Sequence, residues 1–142
     1  MTSIIEVAKK RFRNHSKFGG PVTLEDFIDL LTESYNNGLK CCYCRCQMYL
    51  TQAEANHATS VVSVDHRVSL WSGGRNERAN LCLCCVGCNL LKGTSPGCVF
   101  EEIVGAVLAS PVGFLNWNAY KVHAYAGQIR AKLDRIKPYG VD

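Results

Sequence analysis

Two Cys-x-x-Cys pairs constrain the fold of this chain more than any other feature of its sequence. They are Cys41 with Cys44 and Cys85 with Cys88. Each such turn supplies two adjacent corners of a tetrahedral zinc site, and two turns complete a shell of four thiolates with no open position. The sequence therefore predicts a structural zinc site that ties together two distant segments, with a whole structural element inserted between its halves.

The remaining cysteines leave alternatives open at this site. Cys42 and Cys46 form a rival for the first half-site, and buried thiols without any metal are a further alternative. The count of nine is odd, which favours metal ligands or free thiols over a framework of disulfides. We favour the four cysteines of the two pairs. The roles of five others stay open: Cys42, Cys46, Cys82, Cys84 and Cys98.

Length and composition set broad limits. A chain of 142 residues suits one domain, 1–142, with a helical part at 1–38, a central core at 39–95 and a second helical part at 96–142. It contains no apolar run of about 18 residues, so we expect no membrane span. The early lysines and arginines exclude the apolar centre of a signal peptide, and we expect an intracellular, cytoplasmic protein. The net charge of +4 is compatible with a polyanionic partner but does not establish one.

Apolar periodicity predicts helices on both sides of the core. The first spans 3–17, and the second begins after Thr23, which we interpret as its N-cap, and ends at Asn36-Asn37-Gly38. A short helix is predicted at 51–56. Towards the end of the chain, helices are predicted at 98–108 and about 117–136. The last helix carries an apolar stripe that we expect to face the core, with a dimer seam as the alternative: Val122, Ala126, Ile129, Leu133 and Ile136.

The central segment predicts a strand, a Gly-rich loop, a second strand and a short helix. The strands correspond to 61–64 and 80–85, the loop to 72–78, and Asn89 is the predicted cap of a helix that ends at Gly93. Together with the flanking helices, this pattern indicates an α+β fold.

Four polar residues of this segment form a candidate catalytic set. His66 suits a general base, because an unperturbed imidazole titrates near neutrality. Asp65 and the amide of Asn89 offer oxygen ligands to a divalent ion such as Mg²⁺, which keeps several waters and needs few protein ligands. Asn80 opens the second strand, where its amide could bond across the loop and brace the backbone near His66. An isolated Asp-His pair is weak evidence, so the interpretation depends on the order and spacing of all four.

Basic residues near these elements are candidates for contacts with phosphate groups. The first helix is rich in lysine and arginine, and the alternative interpretation is an ordinary solvated face. The candidate nucleic-acid contacts are Lys9, Lys10, Arg11, Arg13, Arg67 and Lys92.

The combination of the two cysteine pairs with Val64-Asp65-His66, Gly73-Gly74, Asn80-Leu81 and Cys88-Asn89-Leu-Leu-Lys92-Gly93 resembles the HNH endonuclease family. The match covers about 40–93. The resemblance implies a ββα-metal core beside the four-cysteine zinc site, with His66 as general base and Asp65 and Asn89 on the catalytic ion, Mg²⁺ or another such as Mn²⁺. It also implies a mainly structural role for Asn80. This chain departs from many members in having Val68-Ser69 where they have a proline.

The resemblance therefore predicts an enzyme that hydrolyses phosphodiester bonds of DNA and leaves 5′-phosphate and 3′-hydroxyl ends. DNA is the expected partner, a membrane is not, and both a monomer and a homodimer are compatible with the sequence. The alternative is a non-catalytic zinc-knuckle module that binds nucleic acid or a protein. Such a module would have no need for the set formed by Asp65, His66 and Asn89.

Overall fold

A computed structural model describes residues 3–136 of the chain. The polypeptide forms five α-helices and a two-stranded antiparallel sheet in this range, which confirms the α+β prediction. In chain order, the elements are α1 (Ile4–His15), α2 (Leu24–Asn36), β1 (Val62–His66), β2 (Leu81–Cys85), α3 (Val86–Lys92), α4 (Gly97–Leu108) and α5 (Gly113–Ile136).

The two N-terminal helices pack against each other and against one face of the sheet. Thr23 caps α2 as predicted: its hydroxyl accepts a hydrogen bond from the backbone N–H of Asp26, whose carboxylate accepts one from the N–H of Thr23. Phe27 of α2 is fully buried and meets the ring of Phe12 of α1 at a centroid distance of 5.8 Å. The α1–α2 pair therefore forms one wall of the core.

The sheet fixes which side chains share a face. Strand β1 pairs with β2 so that Val62 lies opposite Cys85 and His66 lies opposite Leu81. Because side chains alternate along a strand, Ser63 and Asp65 point to one face and His66 points to the other. Helix α3 follows β2 without a gap and covers the Ser63 face, whereas α1 covers the face of His66.

Helix α5 covers the outer side of α3, and α4 packs against α5. Phe100 of α4 packs its ring between Tyr43 and Trp117, at centroid distances of 5.0 and 5.6 Å. The buried residues of α5 are Gly113, Trp117 and Lys121. They lie four positions apart and therefore on one side of that helix.

Several helix predictions differ from the structure. Residues 51–56 form turns and not a helix, and the cap of α3 is Cys85, with Asn89 inside the helix. The predicted apolar stripe of α5 is exposed at Val122, Ile129 and Leu133, so its assignment to the core was wrong. The helix instead turns Trp117 and Lys121 inward. The side chain of Ile136 lies outside the described part of the chain.

None of the helices within residues 3–136 has both the length and the apolar character required for crossing a membrane.

The Phe27 side chain should contribute more to stability than any exposed phenylalanine. We expect Phe27→Ala to lower the free energy of unfolding by about 3–5 kcal/mol, because the change leaves a cavity between α1 and α2. Phe114→Ala is the matched control, since Phe114 is exposed on α5 and its loss should cost less than about 0.5 kcal/mol. Urea denaturation at constant zinc concentration measures both. Equal costs would contradict the packing described here.

Candidate metal centre and adjoining cleft

The four cysteines of the two Cys-x-x-Cys pairs meet in the interior. The Sγ atoms of Cys41, Cys44, Cys85 and Cys88 all lie within 4.8 Å of one another, and all four residues are buried. Thiolates bound to a tetrahedral zinc at about 2.3 Å lie about 3.8 Å apart, so little adjustment is required. These four cysteines could hold a metal ion such as zinc.

Hydrogen-bond donors surround this cysteine cluster. Sγ of Cys41 accepts backbone N–H groups from Tyr43, Cys44 and Cys85 at 3.4–3.5 Å. The indole N–H of Trp117 donates to Sγ of Cys88 at 3.3 Å. Such donors stabilise the negative charge of thiolates and fix their orientation. The surroundings of the cluster thus favour ionised sulfur.

A buried lysine from α5 lies against the same sulfurs. Nζ of Lys121 is 3.5 Å from Sγ of Cys44 and 3.7 Å from Sγ of Cys85 and of Cys46, and only 2% of Lys121 is exposed. Burial alone would lower the pKa of Lys121, but the neighbouring thiolates together raise it above its usual value. Four thiolates around a divalent ion would carry a net negative charge, which this ammonium would partly offset.

The path of Lys121 requires a glycine beneath it. A Cβ atom on Gly87 would lie 2.6 Å from Cβ of Lys121, so only glycine leaves room for the lysine stem. Lys121 is not among the site residues predicted from the sequence. The only signal available was its spacing of four from Trp117, which by itself does not distinguish a buried lysine from a solvated one.

The other cysteines are not among these four, although the thiol of Cys46 lies against the cluster within hydrogen-bonding reach of Cys41, Cys44 and Cys85. Sγ of Cys42 faces Sγ of Cys82 at 3.2 Å, so Cys42 does not serve as a ligand in the rival half-site. Cys46 approaches Lys121, Cys84 is buried beside Ser63, and Cys98 is exposed.

A cleft of about 320 Å³ adjoins the sheet and α3. Three of the four predicted catalytic residues line it together, namely Asp65, His66 and Asn89. Asn80 lies outside this cleft, in the loop behind it. The sequence-predicted set is therefore split into three residues that face one cavity and one that holds the backbone.

Asp65 is buried in an ion pair. Its Oδ2 accepts a hydrogen bond from the hydroxyl of Tyr43 at 2.5 Å, and its Oδ1 lies 3.3 Å from Nζ of Lys92. Nζ of Lys92 also donates to the carbonyl of His66 at 3.1 Å. Lys92 is 2% exposed, so it does not form the phosphate contact predicted for it. The physical reason is that a carboxylate buried at this position requires a compensating charge.

The ring of His66 is oriented by Asn76, which the sequence analysis did not identify. Nδ2 of Asn76 donates to the carbonyls of His15 and Gly19 at 2.9 and 2.7 Å, so its Oδ1 is the atom that faces Nε2 of His66, at 2.9 Å. In a neutral imidazole the proton must then be on Nε2, because Oδ1 can only accept. Nδ1 is left as the basic nitrogen, and it forms no hydrogen bond to residues 3–136. No local motif marked this asparagine within the Gly-rich loop.

The two other asparagines have distinct positions. Asn80 bonds across the loop as predicted, but its partners are the N–H and carbonyl of Val68 and the carbonyl of Arg75, each at 2.9 Å, rather than the backbone of His66. Its own carbonyl accepts the N–H of Arg67. Nδ2 of Asn89 donates to the hydroxyl of Ser63 at 3.1 Å, and Asn89 also lines the cleft.

The candidate phosphate contacts differ in accessibility. Nη2 of Arg11 donates to the carbonyl of Val62 at 2.8 Å and is partly buried, and burial lowers the pKa of Arg11. Arg67 pairs with Glu101 at 3.1 Å on the surface. The exposed members are Lys9, Lys10 and Arg13. The first helix therefore presents fewer free cations than its sequence indicates.

His15 lies directly behind His66. The two ring centroids are 5.3 Å apart, and Nδ1 of His15 is buried without a hydrogen-bond partner in the described range. Burial, and then the proximity of His66, Arg11 and Lys17, lowers the pKa of His15 from 6.5 to about 4.

We expect the purified protein to retain a single zinc ion per chain after dialysis. Cys41→Ser should abolish this, because it removes the thiolate that accepts three backbone N–H groups, and should lower the thermal midpoint. Cys98→Ser is the matched control, because Cys98 is exposed and outside the cluster. Atomic emission and circular dichroism measure metal content and melting. Full metal retention by Cys41→Ser would contradict this role.

His15 should make stability depend on pH. The folded state disfavours protonation of His15. Its contribution to the free energy of unfolding is therefore complete above about pH 6.5, the ordinary pKa of histidine, and is lost as the pH falls towards about 4. We expect the thermal midpoint of the wild type to fall more steeply over this window than that of His15→Gln. His123→Gln, at an exposed position, should keep the wild-type slope. Identical slopes for all three proteins would contradict the prediction.

No protein-family profile, no curated protein and no solved structure matches this chain.

Proposed function

We propose that this protein is a metal-dependent DNA endonuclease with an HNH-type, ββα-metal core. The observation that carries the proposal is the shared cleft of Asp65, His66 and Asn89, in which the ring of His66 is fixed so that its basic nitrogen is free. The order β1, β2, α3 and the cysteine cluster at the ends of these elements also support it.

His66 would act as the general base. With Nε2 bound to Asn76, Nδ1 can accept a proton from the water that attacks a phosphodiester. Asn76 is a positioning residue in this scheme, because it sets the tautomer and the ring angle through a bond to the nitrogen that does not react. Its amide is in turn anchored by two carbonyls at the end of α1.

The donor set of the cleft fits a divalent ion such as Mg²⁺ or Mn²⁺ in kind, since Asp65 and Asn89 offer one carboxylate and one amide oxygen. When bound there, such an ion would neutralise charge on the scissile phosphate. Lys92 already compensates the charge of Asp65. We therefore expect weak binding of the ion in the absence of phosphate oxygens.

The zinc proposed for the cysteine cluster is structural, because its four protein ligands leave no position for substrate. It would hold β2 and the start of α3 beside the segment that carries Cys41 and Cys44. DNA is the proposed partner, and products with 5′-phosphate and 3′-hydroxyl ends follow from the proposed family.

A second candidate function is a non-catalytic zinc-knuckle module that binds nucleic acid or a protein. The observation that favours it is the state of Asp65, whose two oxygens are already engaged by Tyr43 and Lys92. A carboxylate that serves only to hold a buried lysine has no need of a catalytic ion. Activity measurements separate the two candidates.

Nicking of a supercoiled plasmid in Mg²⁺ or Mn²⁺ tests the enzyme. We expect His66→Ala to lower the rate by about 10²–10⁴-fold, because it removes the base. Asn76→Ala should cause a smaller loss and alter the pH profile of the rate, since the imidazole is kept but its tautomer is no longer set. His123→Ala, at an exposed position on α5, is the matched control and should cut at the wild-type rate.

Equal nicking rates for the wild type and His66→Ala would contradict the proposed mechanism. Absence of cutting by the wild type under every divalent ion tested would favour the binding module. Circular dichroism of each variant verifies that it is folded before its rate is interpreted.

A further inference from the structure

An exposed tryptophan stands at the rim of the cleft. Trp71 is 88% exposed, and it lines the same cavity as His66 and Asn89. It lies in a helical turn, Leu70–Ser72, within the connection between β1 and β2. A large indole in water forgoes the stabilisation that burial would provide, so the fold gains nothing from this position.

The loop that carries Trp71 is held in place by hydrogen bonds on both sides. Oγ of Ser69 accepts the N–H of Ser72 at 3.1 Å, and the carbonyl of Ser69 accepts the N–H of Gly74 at 2.9 Å. Asn80 binds both ends of the loop, through Val68 and Arg75. Trp71 is thus presented from a braced backbone, which lowers the entropy lost when a ligand packs on it.

A second aromatic residue reaches the cleft from the end of α1. Phe18 is about half exposed and lines the cavity, and its ring lies 6.3 Å from that of His66. The ammonium of Lys17 stands 5.3 Å from the centre of the Phe18 ring. The cavity therefore combines two accessible aromatic faces, a nearby cation and the candidate base.

The chemistry of this rim fits a nucleobase better than an apolar partner. The cavity beside Trp71 combines the apolar Leu70 and Phe18 with the polar His66, Asn89 and Thr94, so the indole does not stand over a purely apolar surface. Stacking on an aromatic side chain requires only the flat face of a base, and a base in an intact duplex has both faces covered by its neighbours. An unpaired base offers a free face.

We propose that Trp71 is a stacking site for an unpaired nucleobase of the strand whose phosphate enters the cleft. The preferred substrates are then single-stranded nucleic acid and duplexes with a flap, bulge or junction, rather than fully paired duplex. This inference rests on the proposed function for the position of the scissile phosphate. The stacking itself is a property of binding and can be measured without cleavage.

Binding of oligonucleotides to the zinc-loaded protein, without Mg²⁺ or Mn²⁺, tests the inference. The probes are a short single strand, the blunt duplex of the same sequence and that duplex with an unpaired flap. Quenching of Trp71 fluorescence reports stacking, and Trp117 is buried beside Cys88 and gives a constant background. The difference between the spectra of the wild type and Trp71→Phe isolates the signal of Trp71.

We expect Trp71→Ala to weaken binding of the single strand and the flap by roughly 5- to 150-fold, the range that corresponds to loss of one stacked base. Binding of the blunt duplex should change little. Trp71→Phe should keep most of the affinity, because it retains an aromatic face. Leu115→Ala is the matched control, since Leu115 is 70% exposed on α5 and its loss should leave all three affinities unchanged.

Equal affinity of Trp71→Ala and Leu115→Ala for the single strand would overturn the inference, and so would tighter binding of the blunt duplex by the wild type. These outcomes are independent of the plasmid assay. Loss of single-strand affinity in Trp71→Ala, in a protein that cuts nothing, would support the stacking site while the nuclease proposal fails. Normal cutting together with unchanged single-strand affinity in Trp71→Ala would support the nuclease proposal and overturn the stacking site.

Discussion

The gathering of four cysteine sulfurs in the interior is the constraint on which the rest of the structure depends. The cysteine cluster draws together the turn that carries Cys41, the end of β2 and the start of α3. Because the cluster is buried, it requires donors, and α5 supplies them through Trp117 and Lys121. The docking of the longest helix is therefore a consequence of the electrostatics of the cluster as much as of apolar burial.

A second buried charge arrangement ties the cleft to the sheet. Asp65 and Lys92 pair in the interior, and Lys92 also holds the carbonyl of His66. Each of these groups would be costly to bury alone. Together they fix α3 against β1 and place Asn89 beside the cleft. The Asp65 carboxylate can therefore either hold Lys92 or bind a divalent ion. The first role suits the binding module and the second suits the nuclease.

The sequence predicted those features that depend on short spacing or local turn chemistry. The cysteine cluster followed from the Cys-x-x-Cys turns, the start of α2 from Thr23, and the strand–loop–strand–helix order from apolar runs between breakers. It did not predict Asn76, whose partners lie far away in the chain. The inward face of α5 was also misplaced, because apolar spacing alone takes no account of the attraction between the Lys121 ammonium and the sulfurs of the cluster.

The hydrogen bonds of Asn76 extend the functional unit beyond its recognisable motif. The amide that orients His66 is itself held by the carbonyls of His15 and Gly19, which belong to the N-terminal helical part. A fragment trimmed to 39–95 would keep all four cluster thiols and every residue of the motif. It would nevertheless lack the two carbonyls that hold the Asn76 amide. Such a fragment would keep the cysteine cluster, but the imidazole of His66 would no longer be held in one orientation.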